Sequence, residues 1–205
     1  WKFFGTLLDA GKITVCGEES FGTGSDHVRE KDGIWAVMCW LNILAVKQQS
    51  VADIVTAHWA KYGRNFYTRH DYEGISLEDG NAIMAHLRDL VADKTGLEKS
   101  ISGLGYSPFA LAVCDDFTYS DPIDNSVAKA QGIRLVFTDG ARIIYRLSGT
   151  GTVGATLRVY IEKPVAEVRE HSNETQTMLA EMIALAVKVA RIKALCGRDK
   201  PTVIT

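Results

Sequence analysis

The sequence predicts the end of a mixed α/β domain over residues 1–63, followed by an α+β domain over residues 64–205 with an antiparallel sheet and helices on one face. Three observations carry this. A short β-prone run and two helical runs surround a glycine-rich acidic loop near the start. From Asn65 the apolar period changes to strict alternation. Between Ile133 and Glu162 three strand-like runs follow one another with turn signals between them.

The segment WKFFGTLLDAGK is amphipathic, and because it opens on Trp1 rather than Met the expectation is a cut within a longer chain. Ile13 to Cys16 reads as a strand closed by Gly17, and the loop GEESFGTGSDH lies at its end, where open α/β sheets place ligands. Asp32-Gly33 precedes Ile34, Trp35, Val37, Met38, Leu41, Ile43 and Leu44. That run is apolar on nearly all sides, which predicts a buried helix. Ser50 caps the next helix, carried by Val51, Ile54, Val55, Trp59 and Tyr62 and ended by Gly63. These pieces resemble the tail of an α/β unit whose other strands are missing.

In the second part Phe66, Thr68, His70 and Tyr72 alternate with Tyr67, Arg69 and Asp71 as in a strand. A helix follows over Leu77 to Leu90, and Gly103, Gly105 and Pro108 mark a loop. Ile133 to Thr138 and Arg142 to Leu147 flank Asp139-Gly140, the signature of a two-residue hairpin. Ala155 to Glu162 completes a meander. One continuous helix is expected from a cap at Ser172 or Asn173 to Cys196-Gly197.

With 23 Lys+Arg against 25 Asp+Glu and no basic block, the chain lacks the field that attracts nucleic acid, so any anion must be held by local groups. No run reaches the roughly 18 apolar residues of a membrane span, and a cytoplasmic location is expected. Cys16, Cys39, Cys114 and Cys196 stand apart without a CxxC pair, which reads as reduced thiols rather than a zinc site.

Gly149, Gly151 and Gly154 spell GxGxxG, yet the dinucleotide fingerprint needs a helix after it and here an alternating strand follows. A kinase-type glycine hairpin is excluded by the absence of HRD and DFG elements. What remains is a loop whose backbone N–H groups can form an anion nest, with hydroxyls at Ser148, Thr150 and Thr152 and guanidiniums at Arg146 and Arg158. The same residues also fit an ordinary wide turn with solvated arginines. In the first loop Glu18, Glu19 and Ser20 can accept sugar hydroxyls or can form a solvated acidic turn. His27, Arg29 and Lys31 can approach a phosphate or move a proton.

Read together, CGEESFGTGSDHVREKDG (16 to 33), KYGRNFYTRHDYE (61 to 73), FTYSDPID (117 to 124), RLVFTDGARIIYRLSGTGTVGATLRVYIE (134 to 162) and the ending PTVIT resemble the phosphoglucomutases of the α-D-phosphohexomutase superfamily. The resemblance runs in order over essentially the whole chain. It implies the end of the family's third domain and all of its fourth, with Glu18 and Ser20 binding sugar hydroxyls. It implies that Arg146, Ser148, Gly149, Thr150 and Arg158 grip the phosphate that is not reacting, and that Lys31 lies near the reacting end as a sugar contact able to assist there. The family's phosphoserine loop and its DGDxDR-like magnesium loop have no match here. No catalytic serine and no metal ligand is therefore expected in this chain, and Mg2+ is expected on the N-terminal domains of the same enzyme. The implied reaction interconverts glucose 1-phosphate and glucose 6-phosphate through glucose 1,6-bisphosphate, and the chain alone is expected to be inactive. Two alternatives stand beside it: a silent relative acting as an adhesion or cytoskeletal partner, and a mutase for another hexose such as mannose.

Overall fold

The structure is a computed structural model that describes residues 1–105, 109–149 and 154–205, with the backbone alone at Lys2. In chain order the first elements are α1 (Lys2–Asp9), β1 (Val15–Gly17), β2 (Thr23–Ser25), α2 (Gly33–Lys47), α3 (Val51–Tyr62) and β3 (Arg64–Ile75). Then come α4 (Leu77–Ala92), α5 (Lys94–Gly103), β4 (Leu111–Asp116), β5 (Tyr119–Ser120), β6 (Val127–Ala128), β7 (Ile133–Phe137), β8 (Arg142–Ser148) and β9 (Ala155–Val165). A 3-10 turn at Val168–Glu170 leads to α6 (Thr175–Met178), α7 (Ala180–Val189), α8 (Ile192–Cys196) and β10 (Val203–Ile204). No helix among the described residues is long and apolar enough to cross a membrane.

The chain forms two compact units, one of residues 1–58 with 119–128 and one of residues 59–118 with 129–205. Within the first unit the Thr6 hydroxyl donates to Asp121 Oδ2 at 2.8 Å and the Phe3 and Tyr119 rings meet at 4.0 Å, which ties residues 119–128 to α1. In the first unit β1 and β2 form a two-stranded antiparallel sheet, Val15 opposite Ser25. The expectation of a buried α2 does not hold. The helix has no buried residue, and Ile34 is 80% and Val46 81% exposed. The reason is structural: a two-stranded sheet of three-residue strands offers no broad face for a fifteen-residue helix to cover.

The second unit is a six-stranded antiparallel sheet in the order β10-β3-β9-β8-β7-β4. Period-two alternation sends Ile143, Tyr145, Leu157, Val159 and Ile161 to one face, where they join Ile83 and Leu87 of α4, Leu97 of α5 and Leu185 of α7 in a single core. Fully burying each such aliphatic side chain contributes about 1.5–3 kcal/mol. The Tyr145 hydroxyl, fully buried, donates to the Ala186 carbonyl at 2.9 Å and so joins the sheet to α7. Beneath β3, buried His70 meets Gln176 Oε1 at 3.1 Å, and Gln176 in turn donates to Thr68.

Two local expectations are corrected. Asp139-Gly140 does not form a two-residue turn. The Phe137 N–H reaches Ala141 O at 2.8 Å and Gly140 N–H reaches Phe137 O at 3.0 Å, which leaves a three-residue loop with Gly140 at φ 86. That is a type I turn continued by a left-handed residue, a geometry Asp-Gly suits as well as the shorter one. The last helix is three pieces rather than one. Its cap is Glu174, accepting from Gln176 N and Thr177 N, and Arg191 at φ 50 breaks the path between α7 and α8. Seating Leu179, Val189, Ala190 and Ile192 in the core overrides the uniform helical propensity of the run.

Candidate functional site

The outward face of the second unit's sheet shows a charge pattern that register makes legible. Directly opposed residues there are complementary at Asp115 and Arg134, joined by two bonds of 2.8 and 2.6 Å, and at Arg142 and Glu162, bonded at 2.6 Å. At the end of β8 the rule reverses, because Arg146 stands directly opposite Arg158. Like charges across a ladder are destabilising unless something anionic joins them. The next strand over places Asp71 opposite Arg158, so one row reads Asp71, Arg158, Arg146 across β3, β9 and β8.

Asp71 is only 3% exposed. Its Oδ1 accepts from Arg69 Nε at 2.9 Å, and its Oδ2 faces Arg158 Nε at 3.8 Å. Two guanidiniums thus flank one carboxylate, and Arg146, exposed and opposite Arg158, forms no ion pair with another described residue. Ser148, opposite Thr156, stands where this row meets the glycine loop. Gly149 has φ 152, and a Cβ there would lie 2.9 Å from both the Ala155 Cα and the Gly154 carbonyl oxygen, which only glycine avoids. Thr150 lies outside the described residues, as does Thr152. A polar pocket of about 360 Å³ opens beside Arg146, with Asn81 and Arg88 of α4 and Gln131 on its walls.

In the first unit the GEESFG loop is a tight turn. The Glu18 N–H donates to Gly22 O at 2.9 Å, Phe21 N–H donates to Glu18 O at 3.1 Å, and Phe21 takes φ 66. Glu18 and Lys31 come together, Oε2 to Nζ at 2.5 Å, and Ser20 is exposed in the same turn. The Lys31 ammonium holds the Glu18 carboxyl below its ordinary value against the opposing effect of burial, and Glu18 raises Lys31 in return. His27 and Arg29 serve the architecture. The His27 ring bridges Ser25 Oγ at 2.5 Å and Asp32 Oδ2 at 2.9 Å, while Arg29 Nε bonds Asp9 at 2.5 Å. Asp32 also caps α2 by accepting from Trp35 N at 2.9 Å, and that backbone bond is the main cause of its lowered pKa. The segment bearing Lys31 is therefore anchored on both sides.

Among the described residues no group of three or more His, Cys, Asp or Glu side chains is arranged to hold a metal ion. Sequence reasoning missed Asp71. Its alternation with His70 was readable and put it on the face of Arg69, but which residue lies across the ladder depends on a register that a single strand does not reveal.

The second unit is thus an α+β domain whose sheet brings Arg146 and Arg158 face to face beside the Gly149 turn. Comparison with known proteins makes the assignment narrower. Residues 64–202 match the model of the phosphoglucomutase-1 C-terminal domain, and residues 1–62 match the α/β/α domain III of phosphoglucomutases and phosphomannomutases. A phosphoglucomutase of Rhizobium radiobacter is 55% identical over 205 residues, all of this chain and 36% of that protein. Human phosphoglucomutase-1 is 52% identical over 205 residues, again all of this chain and 36% of its own length. The crystal structure of the exocytosis-sensitive phosphoprotein pp63/parafusin (phosphoglucomutase) from Paramecium, in an open form, superposes with a TM-score of 0.85 at 47% identity, covering 100% of this chain and 35% of that one. The chain belongs to the phosphoglucomutase family, and it spans about a third of the length of the curated relatives it matches.

Proposed function

We propose that this chain is the sugar- and phosphate-gripping portion of a phosphoglucomutase, dividing at residue 63 into the end of the third domain and the whole of the fourth. The observation that carries the proposal is the directly opposed Arg146 and Arg158, a like-charged pair on a sheet face where Asp115–Arg134 and Arg142–Glu162 are complementary. A phosphate dianion set between two such guanidiniums converts their repulsion into bidentate, charge-assisted bonds. Ser148, the Gly149 backbone and Thr150 complete the grip, and Glu18, Ser20 and Lys31 receive the sugar's hydroxyls.

In the complete enzyme a phosphoserine elsewhere in the protein gives its phosphoryl group to the free hydroxyl of glucose 1-phosphate: the serine O–P bond breaks as the sugar O–P bond forms, and the hydroxyl's proton ends on the serine oxygen. The resulting glucose 1,6-bisphosphate turns over and returns its other phosphoryl group, leaving glucose 6-phosphate. Mg2+, held by the other domains, would supply charge stabilisation at the transferring group. The residues of this chain hold whichever phosphate is not reacting, so they must recognise charge and shape rather than the anomeric carbon. Glucose rather than another hexose is proposed from the GEESFG loop, and a cytoplasmic location from the composition.

The test is Arg146→Ala and Arg158→Ala in the complete enzyme, with kcat/KM for glucose 1-phosphate and melting followed together. Losing a charge-assisted bond of roughly 1.5–3 kcal/mol should reduce kcat/KM on the order of 10- to 100-fold while the fold persists. Near-normal kinetics in both variants would discredit the site.

A further inference from the structure

We propose that Asp71 is a positioning residue for the phosphate grip: its buried carboxylate, held between Arg69 and Arg158, aims the Arg158 guanidinium outward. The inference rests on the phosphate-site reading above and adds to it a residue that touches no substrate.

A carboxylate beside a phosphate site repels the ligand, so its presence there needs a reason. The geometry supplies one. The Asp71 side chain is 5% exposed and that of Arg158 37%, so the root of the pair is buried and the tip of the fork is open. Arg158 Nε is itself buried with no hydrogen-bond partner among the described residues, and the Asp71 Oδ2 it faces lies 3.8 Å away. With Nε turned inward to that carboxylate, the two terminal nitrogens are left for a bidentate contact with an oxyanion. Arg69 fixes the other oxygen at 2.9 Å, which prevents Asp71 from rotating to follow Arg158 into solvent. The backbone is clamped as well. The Asp71 carbonyl accepts from Thr202 N at 2.7 Å and from the Thr202 hydroxyl at 2.9 Å, so the strand ending the chain locks the residue in place.

The row also sets the charge. Asp71 offsets one of three neighbouring arginines, leaving an excess suited to a dianion rather than a site so positive that it would disrupt the sheet.

The experiment is Asp71→Asn in the complete enzyme, alone and combined with Arg158→Ala, with Asp115→Asn as control because it breaks a cross-strand ion pair outside the row. The grip on the non-reacting phosphate persists through the transition state, so its loss should appear in KM rather than kcat. Asp71→Asn is expected to raise KM for glucose 1-phosphate about tenfold with kcat within about twofold, and to add little to Arg158→Ala. The control is expected to leave KM in place. If Asp71→Asn lowers the melting temperature but keeps KM, or if its effect adds in full to that of Arg158→Ala, Asp71 is structural and the inference is overturned while the phosphate site stands. If Arg158→Ala itself leaves KM unchanged, the phosphate reading fails and this inference with it. Should Asp71→Asn not fold, Asp71→Glu, which moves the charge outward by one methylene, takes its place with the same expectations.

Discussion

Glu18 and Lys31 hold each other's charge, and the direction of each shift fixes a pH window. The Glu18 carboxyl is depressed in the fold, so its stabilising contribution is present above its ordinary value of 4.5 and is lost as pH falls through the folded value. Lys31 is raised, so its contribution is present below 10.5 and is lost as pH rises through the folded value. Lys31→Met should therefore move the Glu18 titration upward, towards 4.5, in an NMR titration of labelled glutamate carboxyls. A titration that stays in place would assign the depression to another group. This pairing was not legible beforehand. The two residues stand in separate stretches of sequence, and only the β1–β2 hairpin with the His27 anchor brings them within 2.5 Å. In the core, Tyr145→Phe removes a side-chain bond to the Ala186 carbonyl, which also accepts from Ala190 N at 3.2 Å. The expected loss is about 1 kcal/mol by urea unfolding, without a change in substrate kinetics.

At the scale of elements, the strand bearing Arg146 ends where Gly149 takes a backbone conformation closed to other residues. Gly149→Ala should destabilise by about 1–3 kcal/mol and weaken phosphosugar binding, since the new methyl meets main chain that cannot yield. Calorimetry together with a binding isotherm would check both. The meander β7–β8–β9 and the helix α4 were readable in the sequence, because alternation and a one-sided apolar stripe are local signals. The hairpin loop length was not, since Asp-Gly serves loops of two and of three residues. The break at Arg191 was hidden for a different reason. Nothing in VKVARIKAL opposes a continuous helix, and the change of direction comes from Ile192 seeking a core assembled from distant strands.

Over the whole molecule, the apolar sides of α2 are the largest departure from expectation. Ile34, Val37, Met38 and Leu41 are all more than half exposed. Residues 1–62 match a domain of α/β/α type, and the chain spans about a third of the relatives' length. Leu41→Lys should accordingly change the unfolding free energy of this chain by no more than about 0.5 kcal/mol. In a protein of the relatives' full length the same change should remove on the order of 2 kcal/mol or more, as measured by denaturant titration. Hydrophobicity reports what a helix is suited to cover, and the described strands of the first unit's sheet, β1 and β2, are too short to cover α2.

The direct opposition of Arg146 and Arg158 has a thermodynamic consequence for handling the protein. Electrostatic strain that a ligand relieves makes melting a readout of occupancy, since saturation at a hundredfold excess over Kd adds about 2.7 kcal/mol to the folded state. Inorganic phosphate should raise Tm progressively, while chloride at matched ionic strength should do so far less. In the Arg158→Ala protein the two salts should give the same curve.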